Sequence, residues 1–549
     1  MQLATIDIVV IALYAVGIFG LAQYVSREKA GHEKDTSDYF LASKNLPWWA
    51  IGASLIAANI SAEQIVGMSG SGYAIGLAIA SYEWMAAATL LIVGKFFLPI
   101  FLKNEIYTMP QFLRRRYGEV LPILMAIFWL ALYVFVNLTS IIWLGSIAVN
   151  KVAGIDQSYA LVILGAFALL YQIRGGLKAV ALTDIVQVTL LVLGGLVVAY
   201  LTLSKIGGGD VLGGFHKLVA AAPDHFHMIL KRTGNAAFDA EHYDKLPGLS
   251  VLIGGMWIAN LSYWGFNQYI IQRALAAKSL PEAQKGVLFA AFLKLLMPLI
   301  IVLPGIAAVM LAPNLAKADE AYPTMMRLLP SGLLGLVFAA LIAAIIASTA
   351  SKINSIATIF TLDLYARFRG DRTRAEDDEG KQVEERHLVL VGRIAAVTAI
   401  VIAMLMARPL LGKSDQAFQY IQEFTGFFTP GITVIFLLGL FWKRANEAGA
   451  MTAAVASVVL SFVFWFNWQA HMPALGGLSI LNTIPFMNRM GIVFLASLVL
   501  AILVSAVTPQ RPGTDTIDTK NLSYATRTGF NVGALGVVLI LVALYATYW

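Results

Sequence analysis

Ile56-Ala57-Ala58-Asn59-Ile60-Ser61-Ala62-Glu63-Gln64, followed by Met68-Ser69-Gly70-Ser71-Gly72, lies within an apolar stretch long enough to cross a bilayer. A lipid-facing helix does not carry Asn, Ser, Glu and Gln side by side at membrane depth, because each would lose water without gaining a partner. Interrupted backbone survives there only where it lines a cavity or is buried in protein. The theme returns later in the chain: Ala58-Asn59-Ile60-Ser61 is echoed by Ala259-Asn260-Leu261-Ser262. Broken helices at matching places in two halves are the best sequence pointer to a transporter's midplane site. Two polar helix–helix contacts are the plainer alternative.

Composition fits that setting. Of 549 residues, 59 % are hydrophobic and 13 % charged, about half the roughly 25 % charge of soluble domains. The mean hydropathy is +0.75. The fold class expected is an all-α polytopic membrane protein of fourteen spans. They lie near 5–25, 47–68, 72–102, 120–149, 158–173, 178–204, 248–271, 284–312, 331–365, 388–407, 416–441, 448–468, 485–507 and 528–548. With no cysteine, disulfide frameworks, thiolate metal sites and iron–sulfur centres fall away. The net charge of +7 does not point to nucleic acid, because the basic residues sit in short loops between spans. One alternate set of loops holds 24 Lys and Arg against 10 in the other, which places both termini outside the cytoplasm of a cell (inner) membrane. The N-terminus lacks the basic region and cleavage site of a signal peptide, so Ile6 to Tyr24 reads as a span.

Glu83 and Lys294 are opposite charges in otherwise apolar spans, each costing about 2.5–3.5 kcal/mol at the bilayer centre on insertion scales. A structural ion pair is one explanation. Their company suggests another: Gln64 and Met68, Asn260 and Tyr263, and Phe418 and Gln422 are helical neighbours, and Tyr82 adjoins Glu83. Amides and a carboxylate bracket vicinal hydroxyls as donors and acceptors, and aromatic rings cover the C–H face of a pyranose. A neutral polyol such as a sugar fits this set.

In the ninth span Ala344, Ser348 and Ser351 share a face. Hydroxyls and a helix carbonyl facing the broken backbone near Ala57 and Ile60 would form an all-oxygen cage of the kind hard cations take. Serines that merely pack helices are the alternative. Asp184 reads as an interfacial acid or a member of a cation exit path with Ser351. Lys352, one turn beyond Ser348, reads first as a snorkelling surface cation, second as a charge near the cation path. The pair His225 and His227 reads as part of a solvated loop rather than a metal site.

At these residues the chain resembles the sodium:solute symporter family, in its sodium/sugar cotransporter branch. The resemblance rests on Leu46-Pro47-Trp48-Trp49, Ala57 to Gln64, Ala80-Ser81-Tyr82-Glu83-Trp84-Met85, Gly175-Gly176-Leu177 with Thr183-Asp184, Tyr263 to Tyr269, and Gln419-Tyr420-Ile421-Gln422-Glu423. It implies an inverted five-plus-five repeat. Residues 1–44 would hold a leading helix and loop, 45–247 the first repeat with an outer loop, 248–441 the second repeat, and 442–549 three further helices. It implies sugar contacts from Gln64, Glu83, Asn260, Lys294 and Gln422. Tyr263 would be an inner gate braced by Asn59, with Met68, Tyr82 and Phe418 as the outer gate. Sodium, the coupling ion, would bind the carbonyls of Ala57, Ile60 and Ala344 with the Ser348 hydroxyl. Two positions depart from the pattern: Ala347 stands where the family usually has a first hydroxyl, and Ala86 where galactose-carrying members have a serine.

The expected function is therefore sodium-coupled import of a monosaccharide, galactose or glucose, by alternating access, with no enzymatic chemistry. The partners expected are the sugar, sodium and the lipid bilayer, and no nucleic acid. Rivals are a symporter of another small polyol such as myo-inositol, and a proton-coupled, weakly sodium-dependent or facilitative sugar transporter. A sensor or channel of the same fold, and a membrane-embedded enzyme, are more distant ones.

Overall fold

The computed structural model describes residues 3–26, 46–106, 108–174, 177–369, 378–510, 517–519 and 522–549; side chains at 19, 21–26, 171–174, 177–184, 362, 378–386 and 468 lie outside that description. Every element among the described residues is helical, apart from one isolated bridge between Leu46 and Ala277. Nine helical stretches among them are long and apolar enough to cross a membrane, or ten if the bent pair Ala417–Thr425 and Thr429–Phe441 counts as one. Fewer than the fourteen expected are counted: Trp48–Asn59 has 12 residues, and the helices Thr5–Ser26 and Gln157–Arg174 are described with their side chains only in part, over Thr5–Ile18 and Gln157–Leu170.

Six helices build the interior: α1 (Trp48–Asn59), α2 (Ser81–Ile92), α3 (Gly255–Phe266), α4 (Leu280–Leu311), α5 (Leu333–Thr358) and α6 (Ala417–Thr425). Helix α1 ends where Ile60 turns extended, with φ −69° and ψ 115°. The chain resumes in a π-helical turn, Glu63–Met68, and runs on as Ser69–Ile75. The sequence reading, which ended the second span at 68 and began the third at 72, is corrected here. Ser69-Gly70-Ser71-Gly72 is helix, because its glycines admit close neighbours: a Cβ on Gly72 would lie 2.9 Å from the Val302 carbonyl oxygen in α4, and one on Gly70 2.5 Å from Asp319. Small residues allow such approach between membrane helices. The true turn falls at Gly76, whose φ of +75° suits glycine, and a Cβ there would sit 2.3 Å from the His225 carbonyl oxygen.

The expected span 248–271 is likewise divided. Gly254 breaks Leu249–Ile253 from α3, and Asn267, at ψ 121°, breaks α3 from Gln268–Leu275. Helix α4 carries Pro298 and Pro304 and packs against α1, Ser69–Ile75, α2 and Leu177–Gly207.

Both chain ends lie on one face. Asp7 accepts the amides of Gly332 and Gly335 at 2.6 and 2.9 Å. At the other end, the Met228 amide donates to Tyr548 at 2.6 Å, and His227 meets the Trp549 carbonyl at 3.0 Å. The loops join there: Gln416 reaches Glu241 at 3.3 Å, and the Ala417 amide donates to Asp319 at 3.0 Å. On the opposite face Arg116 donates to the carbonyls of Gly439, Trp442 and Lys443, and Lys103 pairs with Asp518 at 3.1 Å.

Asp319 is fully buried in the loop between α4 and α5, and burial pushes its carboxyl up to about 8. The folded protein thus holds the proton longer than the unfolded chain, and the associated stability is lost as pH rises from about 4 toward about 8. Thermal melts of the detergent-solubilised protein should show a falling midpoint over this range, and Asp319→Asn should flatten the slope. An unchanged slope in Asp319→Asn would assign the effect elsewhere.

Candidate substrate site and its gates

A lysine in an apolar helix must find partners or lose its charge. Lys294 of α4 finds Glu83 of α2, with Nζ 2.5 Å from Oε2 and both side chains buried. The same ammonium donates to the Asn59 side-chain oxygen at the end of α1 and sits 5.1 Å from the centre of the Trp264 ring in α3. Asn59 in turn donates its amide to the Tyr263 hydroxyl at 3.1 Å. That hydroxyl lies 2.7 Å from the hydroxyl of Tyr269. Five helices, α1 to α4 and Gln268–Leu275, thus meet on one polar thread.

Around it lies a cavity of about 110 Å³ lined by Gln64, Glu83, Asn260, Lys294 and Gln422. The five residues expected to contact substrate are therefore brought together. Buried polar atoms at its wall, Gln64 Oε1, Tyr82 Oη, Asn267 Oδ1 and Thr429 Oγ1, have no hydrogen-bond partner among the described residues. Such groups are costly unless a ligand or solvent meets them. Together they offer two amide acceptors and two hydroxyls in a cavity whose Lys294–Glu83 ion pair is internally neutral. That donor set suits an uncharged, hydroxyl-rich molecule.

The cavity has two aromatic boundaries. Tyr82 and Phe418 meet edge to face, ring centres 5.1 Å apart; Phe418 stands against Gly67, where a Cβ would lie 3.2 Å from its own. Met68 is fully buried in the adjoining π turn but does not line the cavity. Tyr263 forms the other boundary, edge-on to Trp264 at 5.2 Å. A larger cavity, about 710 Å³, adjoins the other side of α6 among charged loop residues, including Arg232, Asp244 and Lys413.

The residues expected to hold a cation are less closely assembled. Ala57, Ile60 and Ala344 are buried and Ser348 half-buried, but α1 and α5 make no extended contact. Ala347 is buried and Ser351 exposed. The Asp184 side chain lies outside the described residues. The reading of Lys352 as a snorkelling surface cation is overturned: it is buried, with its ammonium 4.3 Å from the Tyr269 ring centre. His225 is half-buried and bonds the Tyr73 carbonyl, while His227 is exposed and bonds the Trp549 carbonyl. No cluster of His, Asp and Glu suited to a metal occurs among the described residues.

Sequence reasoning missed Tyr133, Asn137 and Asn267 at the cavity wall. Asn137 could have been found, since it is a polar residue in an apolar span, the criterion that flagged Glu83. Tyr269 could not, because only the break at Asn267 returns it toward Tyr263.

A helical bundle with interrupted helices around a polar cavity walled by aromatic rings fits a multi-pass membrane transporter. The profile of the sodium:solute symporter family matches residues 39–457, and the chain belongs to that family; it is a transporter and not an enzyme. It is 49 % identical over 570 residues to a sodium/glucose cotransporter of Vibrio parahaemolyticus, covering 100 % of this chain and 99 % of that protein. It is 34 % identical over 489 residues to sodium/myo-inositol cotransporter 2 of Bos taurus, covering 83 % and 69 %. The fold is similar to the substrate-bound outward-open state of a Na⁺-coupled sialic acid symporter, with a TM-score of 0.71, 20 % identity and coverage of 92 % and 99 %.

Removing one member of a buried ion pair strands the other, at a cost of about 3–5 kcal/mol. Lys294→Met should therefore lower the thermal midpoint sharply, and adding Glu83→Gln should restore part of it. A double variant no more stable than Lys294→Met would mean that the pair is not what the single change disrupts.

Proposed function

We propose that the chain is a sodium-coupled symporter importing a monosaccharide, galactose or glucose, into the cytoplasm by alternating access. The observation that carries this is the cavity lined by Gln64, Glu83, Asn260, Lys294 and Gln422 between two aromatic boundaries. The similarity to a sodium/glucose cotransporter supports it. In this reading Tyr82 and Phe418, with Met68 behind them, close the outward path. Tyr263, braced by Asn59, closes the inward one. Glu83 and Gln422 grip ring hydroxyls, while Lys294 pairs with Glu83 and orients it.

Sodium is a co-substrate here. The carbonyls of Ala57, Ile60 and Ala344 with the Ser348 hydroxyl would take it, their all-oxygen chemistry suiting a hard cation, with Asp184 and Ser351 on its way out. Coupling then requires only that sodium bind the outward state more tightly than the inward one. The organisation proposed is fourteen spans: a leading helix in 1–44, two inverted five-helix repeats in 45–247 and 248–441, and three helices in 442–549. The excess of basic residues on the face of Arg114–Arg116 makes that face cytoplasmic in a cell membrane and puts both termini outside. A second reading, transport of a cyclic polyol such as myo-inositol, is favoured by Ala86 at the cavity wall in place of a hydroxyl and by the myo-inositol relatives.

The test is uptake of labelled galactose, glucose and myo-inositol into proteoliposomes, in sodium and in choline. Sodium-dependent hexose uptake is expected. Gln422→Ala should reduce it about 5- to 150-fold, the cost of leaving a polar partner unmet. Tyr263→Phe should keep most transport and Tyr263→Ala lose it, because the ring closes the path. Equal uptake in choline refutes sodium coupling, and equal activity of the two Tyr263 variants refutes the gate.

Ala347 puts a methyl group where a cation cage would gain a hydroxyl. Ala347→Ser should lower the half-saturating sodium concentration for uptake; an equal or higher value counts against this cage.

A further inference from the structure

Two charges adjoin the proposed cation cage without belonging to it. Glu63 follows Ile60 by three residues, across the break after α1; Lys352 follows Ser348 by four, one turn along α5. Each half of the cage thus continues into a charge, and the two charges are opposite.

Lys352 is 8 % exposed and forms no ion pair within 4 Å among the described residues. Its ammonium lies instead over two tyrosine rings, 4.3 Å from the centre of Tyr269 and 5.8 Å from that of Tyr133. Its charge also acts on Glu63. Glu63 accepts from the Ser140 hydroxyl in the fourth span and from Ser61 at 3.5 Å. The ring beneath Lys352 is not passive: Tyr269 is hydrogen-bonded to Tyr263, and Tyr263 to Asn59. The ammonium therefore stands at one end of the polar thread whose other end is Lys294 in the substrate cavity. With α1 and α5 in no extended contact, Lys352 on α5 reaches Asn59 on α1 through Tyr269 and Tyr263, and so links the elements a bound cation would join.

We propose that Lys352 is a tethered cation that competes electrostatically with sodium and sets how readily sodium leaves. This rests on the sodium site proposed above. Without sodium, the ammonium answers Glu63 and rests on Tyr269, holding the inner gate tyrosines together. With sodium bound, two like charges share one low-dielectric neighbourhood, and the repulsion weakens sodium binding. By linkage, sodium equally weakens the hold of Lys352 on Glu63 and the tyrosines. Lys352 thus lowers the affinity of the site, so that sodium carried in from the outward state is readily given up on the inward side. No proton transfer or covalent step is involved.

The experiment measures half-saturating sodium twice: for sugar uptake into proteoliposomes, and for sodium-induced change in tryptophan fluorescence of purified protein without sugar. The proteins are the parent, Lys352→Met, Lys352→Arg and Glu63→Gln. Removing a like charge several ångströms from the ion should tighten sodium about three- to thirtyfold in Lys352→Met. Lys352→Arg, which keeps the charge, should stay within about twofold of the parent. Glu63→Gln should shift the value the other way, to higher sodium. A purely packing role for Lys352 would lower thermal stability and leave half-saturating sodium unchanged, and that result overturns the proposal. If Lys352→Met does not reach the membrane, Lys352→Gln carries the same expectation, and Glu63→Gln with an unaltered value overturns it independently. A parent indifferent to sodium in both measurements would instead remove the sodium site itself.

Discussion

A fixed positive charge inside an apolar bundle organises everything near it. Lys294 leaves its helix at a depth where desolvation is costly, and three other helices answer it: α2 with Glu83, α1 with Asn59, and α3 with the face of Trp264. None of these contacts can be kept if one helix shifts alone. The pair therefore fixes the mutual placement of the two halves of the chain, and the cavity is the space left around it. An ion pair this deep contributes little net stability; what it supplies is a defined arrangement of the donors and acceptors that line the cavity.

The interruptions follow from the same demand. A regular helix satisfies its own backbone and leaves nothing for a ligand, so membrane sites are built where helices stop or widen. Here α1 stops at Ile60, α3 stops at Asn267, and π-helical turns occur at Glu63–Met68 and Leu132–Leu138. Those two turns carry Gln64, Tyr133 and Asn137, all at the cavity wall. A π turn rotates the residues after it off the regular helical face, which is why such turns recur at functional sites.

The membrane class was legible because burial in lipid leaves a long apolar signature that few sequences mimic. The cavity was legible because polar residues at bilayer depth are expensive and so mark the interior, as Gln64, Glu83, Asn260, Lys294 and Gln422 do. Fine structure was less so. Ser69 to Gly72 has the composition of a break yet is helical, since its glycines serve packing against Val302 and Asp319, and composition alone does not separate the two uses of glycine. Lys352 lies near the end of an apolar run, where snorkelling is the ordinary outcome. Its burial depends on Tyr133 and Tyr269 arriving from elsewhere in the chain, and no local pattern announces that.

The loop between Leu177–Gly207 and α3 ties distant parts of the chain together. His225 bonds the Tyr73 carbonyl in the arm Ser69–Ile75, and His227 and Met228 bond the last two residues of the chain. The loop is thus sutured on one side to the arm that carries Met68 and on the other to the terminal helix, Thr528–Thr547. Tilting of that arm during transport would drag the loop and the terminal helix with it. An antibody fragment gripping this loop would then behave as a brake on the cycle although it touches neither sugar nor ion, and fluorophores placed on the loop would register each turnover from outside the bilayer.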